Sequence, residues 1–217
     1  MAMAIKNEWV SVDGEIIRNP AFAVDISIMQ IKLDGEIIDP ISPMTIMLNK
    51  PAGYTCSHKD AGDLVYDLMP DRWKARKPAF SSIGRLDKYS TGQLLFTDDG
   101  DLLHRIIHPK SCAKKHYHVT LRDDLNGDEA ELFSSGEFYM DKDDKPLKSA
   151  QWTPENSRSG IMILSEGRFH QIRRMFETVG NEVIELHRFQ TGGLILGDLP
   201  EGEWRYLNND DLGNIFI

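Results

Sequence analysis

The chain has 217 residues, 41% hydrophobic and 27% charged, with a formal net charge of −9. That composition excludes a disordered, collagen-like or coiled-coil chain, and its longest apolar runs, such as Ile161–Leu164, fall far short of the ~18 residues of a membrane span. Two cysteines and nine methionines make no disulfide framework and suit a reducing cytoplasm, and the N-terminus lacks the apolar core of a secretory signal.

The length predicts one to two domains. Residues 1 to about 40 read as short strands and turns. Trp9–Val12 alternates, Asp13-Gly14 turns, and Glu15–Ile17 follows. Ile26–Ile31 reads as a further strand, and Asp34-Gly35 repeats the turn before Glu36–Ile38. Asp-Gly between apolar runs signals a hairpin. Pro40 and Pro43 place a linker at about 40–43, which separates a unit of residues 1–40 from one of 41–217.

After the linker, Thr45–Leu48 is a strand ending at Asn49-Lys50-Pro51. Asp63–Met69 suits a short helix and Leu94–Thr97 a strand. Asp98 or Asp99 caps a helix through Ile107. Residues 116–121 alternate as a strand, and Glu129–Phe138 reads as helical. Ile161–Leu164 is a strand, residues 165–167 a turn, and Phe169–Val179 a helix ended by Gly180. On it Phe169, Ile172, Phe176 and Val179 form an apolar stripe, with His170, Arg173, Arg174 and Glu177 opposite. Val183–Leu186 is the next strand. Strands outnumber helices without regular alternation, so the expected class is α+β with a largely antiparallel sheet.

The negative charge argues against a nucleic-acid partner, but its distribution is uneven. Asp123–Glu155 holds ten acids and three lysines, whereas Arg168, Arg173 and Arg174 fall in a stretch free of acids. Lys110, Lys114, Lys115 and Arg122 also follow one another without an acid between them. The pattern reads as two basic surfaces on an acidic body.

Four groups of residues could carry chemistry. Asp87, flanked by Arg85 and Lys88, is favoured as a carboxylate; it suits a nucleophile or base rather than a general acid. Its plainer reading is a turn cap or a partner of Arg85. The turn before Gln171 presents backbone N–H groups and three arginines that suit a phosphate; the alternative is a solvated helix face with Glu177 pairing Arg173 or Arg174. Tyr117 is either core or a ring on which a base stacks. His104, His108, Cys112, His116 and His118 could form a zinc set, yet they show neither paired-cysteine spacing nor a His-Glu-x-x-His helix, so they read as structural or RNA-facing. Phosphate-loop, dinucleotide and hydrolase-elbow motifs are absent.

Taken together these blocks resemble the bacterial rRNA pseudouridine synthases. The resemblance rests on Gly84-Arg85-Leu86-Asp87 with Ser90 and Gly92, Asp99-Gly100-Asp101-Leu102 with His104-Arg105, and Lys115-x-Tyr117. Glu166–Met175 and Met47–Tyr54 complete it, so five blocks span residues 45–207. Tyr54-x-Cys56-Ser57 and Glu185–Arg188 with Gly192-Gly193 are most similar to members acting on small-subunit rRNA. Val10–Asn19 is similar to the end of their N-terminal, ribosomal-protein-like RNA-binding domain, and residues 1–40 are then a truncated remnant of it. Tyr89 and Gln93 depart from the family's usual residues and are expected to tune packing.

The resemblance implies a cytoplasmic, monomeric isomerase that converts one uridine of small-subunit (16S) rRNA to pseudouridine by base flipping, with no cofactor, metal, nucleotide or membrane. It implies Asp87 as the essential acid, as nucleophile or as base at C2′. Arg173 would pair with Asp87, and Tyr117 would stack on the uracil and help remove its C5 proton. Leu164 would line the pocket. Arg85 would fill the gap left by the flipped base or hold phosphate. Lys115, Arg168, His170 and Arg174 would bind substrate. Large-subunit rRNA as substrate, a non-catalytic assembly factor and a histidine-based metallohydrolase are the competing readings.

Overall fold

The computed structural model describes residues 2–25, 29–39, 43–108, 111, 113–140 and 143–217. The chain divides into two compact units, Met1–Ser42 and Pro43–Ile217.

In the first unit a short helix α1 (Ala2–Lys6) precedes four strands: β1 (Val10–Val12), β2 (Glu15–Ile16), β3 (Ile31–Leu33) and β4 (Glu36–Ile37). They form one antiparallel sheet in the order β2-β1-β3-β4. Asp13-Gly14 and Asp34-Gly35 all have positive φ, between 50° and 88°, the geometry of a two-residue hairpin turn that follows strand twist. The third strand begins at Ile31, not Ile26; of the expected strand, residues 26–28 lie outside the described residues, as do 40–42 of the expected linker.

The second unit is built on a nine-stranded sheet among the described residues. Its strands are β5 (Thr45–Lys50), β6 (Ser81–Ile83), β7 (Thr91–Thr97), β8 (Lys115–Leu121), β9 (Gln151–Pro154), β10 (Ser159–Leu164), β11 (Val183–Thr191), β12 (Leu194–Ile195) and β13 (Trp204–Tyr206). The main order is β13-β5-β7-β11-β8-β10-β9, with β6 on β7 and β12 on β11. Every pairing is antiparallel except β7 with β11. The chain is thus α+β with a largely antiparallel sheet, as its pattern predicts.

That parallel junction joins the two halves of the sheet. Arg188 pairs with Gly92, and a Cβ on Gly92 would lie 2.1 Å from the Arg188 carbonyl oxygen. Only glycine permits this approach, and its φ of +100° is also one that L side chains avoid.

Burial explains the strand sequences. All six residues of β5 are buried, because its alternate side chains enter two different cores. Ile46 and Leu48 join the larger core with Leu94 and Phe96. Met47 and Leu95 join a second core with Leu102 and Ile106 from the helix α2 (Gly100–Ile107). Of the two candidates, Asp99 caps α2 by accepting from the amides of Asp101 and Leu102, each at 3.0 Å, while Asp98 instead accepts from the Met44 amide and Arg76. In β8 only Tyr117, Val119 and Leu121 are buried, on the larger core. His116 and His118 lie opposite, both against Phe189.

Several elements are shorter or later than their sequence pattern. The helix α3 runs Glu129–Ser134 rather than to Phe138. The expected helix at 63–69 is a 3-10 turn, Val65–Leu68. The helix α4 is Gln171–Thr178, with Gly180 at φ +84° behind it. Phe169 therefore precedes the helix and is 67% exposed; it does not join the apolar stripe of Ile172 and Phe176, both buried. A last helix, α5 (Asn209–Asn214), and the strands β6, β9, β12 and β13 have too few apolar repeats to announce themselves.

Candidate active site

Three segments converge on a cleft of ≈ 550 Å³ in the second unit. The first is the loop from β6 to β7, which carries Arg85, Leu86, Asp87 and Lys88. The second is the start of β8, with Lys115 and Tyr117. The third is the end of β10 and the turn into α4, with Leu164, Arg168, Phe169 and His170. All of these line the cleft.

Asp87 is held by α4. Arg173 lies within its first turn, and His170 immediately precedes its first residue with a left-handed backbone. His170 Nε2 lies 3.4 Å from Asp87 Oδ1, and Arg173 Nε lies 3.8 Å from Oδ2. The Arg173 side chain is fixed at its far end, where Nη1 donates 2.7 Å to the Val183 carbonyl. Arg85 does not pair with Asp87, and Glu177 does not take up Arg173. Asp87 is thus a carboxylate bracketed by an imidazole and a guanidinium.

The Asp87 loop is anchored from below. Lys50, fully buried at the end of β5, donates its three ammonium N–H bonds to the carbonyls of Pro51 (2.9 Å), Lys88 (3.1 Å) and Ser90 (2.8 Å). Burial lowers its pKa to about 8, which leaves an ammonium at neutral pH. The Gly53 amide also donates to Lys88 O. On the other flank the Leu86 amide donates to Cys56 Sγ at 3.4 Å, and burial pushes the Cys56 thiol pKa up. Sequence reading placed Lys50 only within a motif. Its role depends on a carbonyl cage that the fold assembles.

Tyr117 is 8% exposed. It pairs with Met162 of β10 and Arg188 of β11, and its ring joins both the core and the cleft. The core reading of this residue therefore holds, and the ring also lines the cleft. Leu164, 3% exposed, sits opposite Lys115 across the β8–β10 ladder. Lys115 has no anion beside it among the described residues. Its burial, reinforced by the charge of Arg188, lowers its pKa to about 8. Arg188, itself 3% exposed, donates 2.6 Å to the Gln93 carbonyl.

The expected basic surfaces are largely neutralised. Arg168 donates to Asp143 Oδ2 at 2.9 Å and to the carbonyls of Lys145 and Pro146. Arg174 donates to Asp143 Oδ1 at 2.5 Å. These bonds hold the carboxyl of Asp143 below its usual pKa. Arg122 pairs with Asp123 and Glu182, and Lys110 lies outside the described residues. Distant acids fold back onto these arginines, which local sequence cannot reveal. Arg85 and Lys88 keep exposed side chains at the cleft.

His104 on α2 and His108 just past its end form a ring pair 5.3 Å apart, while His116 and His118 sit beside Phe189 on the sheet. Among the described residues no group of three or more histidine, cysteine or acidic side chains is placed to hold a metal; Cys112 lies outside them. Among those residues, too, no helix is long and apolar enough to cross a membrane. Gln93 is buried and donates to the Leu194 carbonyl, so it packs as expected. Tyr89 does not: it is 69% exposed, with Lys88 Nζ 5.8 Å above its ring.

A cleft with one bracketed carboxylate, a tyrosine and unpaired cations defines a class that comparison with known proteins identifies. The profile of RNA pseudouridylate synthases matches residues 44–178, and the chain belongs to that family. It is similar to the ribosomal small subunit pseudouridine synthase A of Escherichia coli K12, with 40% identity over 97% of this chain and 90% of the relative. The Yersinia pestis protein of the same name is 36% identical over 99% of this chain and 91% of its own. A solved pseudouridylate synthase structure matches with a TM-score of 0.75 and 32% identity, covering 99% of this chain and 91% of that one.

Proposed function

We propose that this protein isomerises one uridine of small-subunit (16S) rRNA to pseudouridine, acting in the cytoplasm as a monomer. The single observation that carries the reading is Asp87, bracketed by His170 and Arg173 in the cleft that Tyr117 and Leu164 also line. The names of the similar ribosomal small subunit synthases support the substrate.

The reaction breaks N1–C1′, turns the uracil and joins C5 to C1′. The C5 proton leaves and N1 gains one, so the change is an isomerisation with no net oxidation. The sugar and base edges lie inside folded RNA, so the nucleotide must leave its stack at a cost of a few kcal/mol. Asp87 then addresses the sugar, by attack at C1′ or by taking the C2′ proton. Both uses require the carboxylate, which the Arg173 guanidinium faces at 3.8 Å. Tyr117 offers a ring face for the uracil and a hydroxyl, without a protein partner among the described residues, for the C5 proton. Leu164 keeps that floor apolar. Lys115 and Arg85 are the cations available to phosphate; Arg168 and Arg174 support the turn through Asp143, and His170 orients Asp87 beside the substrate. Residues 1–40, with three basic and seven acidic side chains, contribute little positive charge to RNA binding.

The test is to map pseudouridine in rRNA from cells lacking the protein. Loss of a single small-subunit position, restored by the wild-type gene, is expected. Loss at a large-subunit position would move the substrate, and an unchanged map would refute the catalytic reading.

A further inference from the structure

Phe169 exposes 67% of its surface although it is a large apolar residue. Isolated exposed hydrophobics are ordinary, but three observations set this one apart. First, it lines the same cleft as Asp87. Second, its ring stacks on His170, with centroids 3.8 Å apart and planes 16° from parallel. Third, His170 holds a left-handed backbone, φ 48° and ψ 35°, a strained conformation for a residue with a side chain. The strain places the imidazole so that one edge meets Asp87 at 3.4 Å while its face supports Phe169. One face of Phe169 is covered and the other is bare.

We infer that Phe169, backed by His170, is a stacking platform for the nucleobase next to the target uridine. This inference rests on the RNA reading above and adds a binding position to it. The target base itself belongs deeper, where Tyr117 and Leu164 are buried. Phe169 lies one ring beyond the imidazole that touches Asp87, within reach of the neighbouring nucleotide. Arg85 and Lys88, exposed in the same cleft, suit the connecting phosphates. An aromatic face accepts any base, so the platform contributes affinity and register, with its position relative to Asp87 selecting which nucleotide enters.

The test uses the full chain and a small-subunit rRNA transcript containing the uridine mapped for the wild type. Wild-type turnover of that transcript checks the RNA reading independently. Phe169→Ala should raise the half-saturating RNA concentration about 5- to 150-fold, the effect of losing one stacked base; the saturated single-turnover rate should fall by much less. Phe169→Tyr should recover affinity to within about 3-fold, whereas Phe169→Leu, apolar but without a π face, should not. An abasic nucleotide on one side of the target should weaken the wild type and leave Phe169→Ala little changed. Wild-type affinity in Phe169→Ala or in Phe169→Leu, or additive losses with both abasic RNAs, would overturn the platform. Unchanged unfolding midpoints confirm that the variants are folded.

Discussion

Arg173 grips Asp87 and the sheet at once: its Nε stands 3.8 Å from Asp87 Oδ2 while its Nη1 donates 2.7 Å to the carbonyl of Val183. Lysine offers a single charged point and cannot span both. Arg173→Lys should therefore keep the fold and lower the single-turnover rate by about 10²-fold, the scale of a 1 Å misplacement at a reacting centre. A rate within threefold of wild type would show that Asp87 does not depend on this guanidinium.

Lys50 is a buried cation whose partners are all backbone carbonyls. Lys50→Met would leave those carbonyls short of a donor and release the loop that carries Asp87. The expected cost is about 2–4 kcal/mol of stability, from the loss of charged hydrogen bonds in a buried site, measured by urea unfolding. A near-neutral result would mean that the loop holds its shape without the ammonium.

As the proposed phosphate partner, Lys115 should make RNA affinity sensitive to pH. Burial lowers its pKa from 10.5 to about 8, so the ammonium is present below that pH and is lost as pH rises through it. RNA affinity should fall between pH 7 and 9, and Lys115→Arg, which keeps its charge, should remove the fall. Stability should change in the opposite sense. The unfolded chain binds more protons than the folded one between about 8 and 10.5, so the contributions of Lys50 and Lys115 rise with pH across that window. Binding measured across this range in wild type and Lys115→Arg separates the site effect from general screening.

Gly92 is where the two halves of the sheet meet most closely. Gly92→Ala would put a methyl 2.1 Å from the Arg188 carbonyl oxygen at a φ of +100°. We expect a loss of more than about 3 kcal/mol, beyond an ordinary point substitution, seen as a lowered urea midpoint or as insoluble protein. A midpoint equal to wild type would show that β7 and β11 can separate freely.

Most of the site is legible in the sequence because its parts are local. The Asp87 loop, the Lys115-x-Tyr117 strand and the segment from His170 to Arg173 are each short motifs; the sequence reads His170 and Arg173 as one helix stripe, whereas His170 meets Asp87 from the turn ahead of α4. The Asp-Gly hairpins and the Asp99 cap are legible for the same reason. What the sequence conceals is long-range pairing. Asp143 reaches Arg168 and Arg174 from 25 and 31 residues away, turning an apparent phosphate site into a structural clamp. Phe169 fits the helical apolar stripe by spacing, yet His170 breaks the helix before it, so a residue that reads as core becomes surface. The parallel β7–β11 junction is equally hidden, because nothing local marks Gly92 and Arg188, 96 residues apart, as neighbours.

The most direct measurement is tritium release from C5-labelled uridine in small-subunit rRNA by wild type and Asp87→Asn. The substitution keeps the shape and removes the charge. It should abolish release while leaving the unfolding midpoint and RNA binding close to wild type. Release at the wild-type rate from the Asn variant would contradict the assignment of Asp87 as the reacting carboxylate.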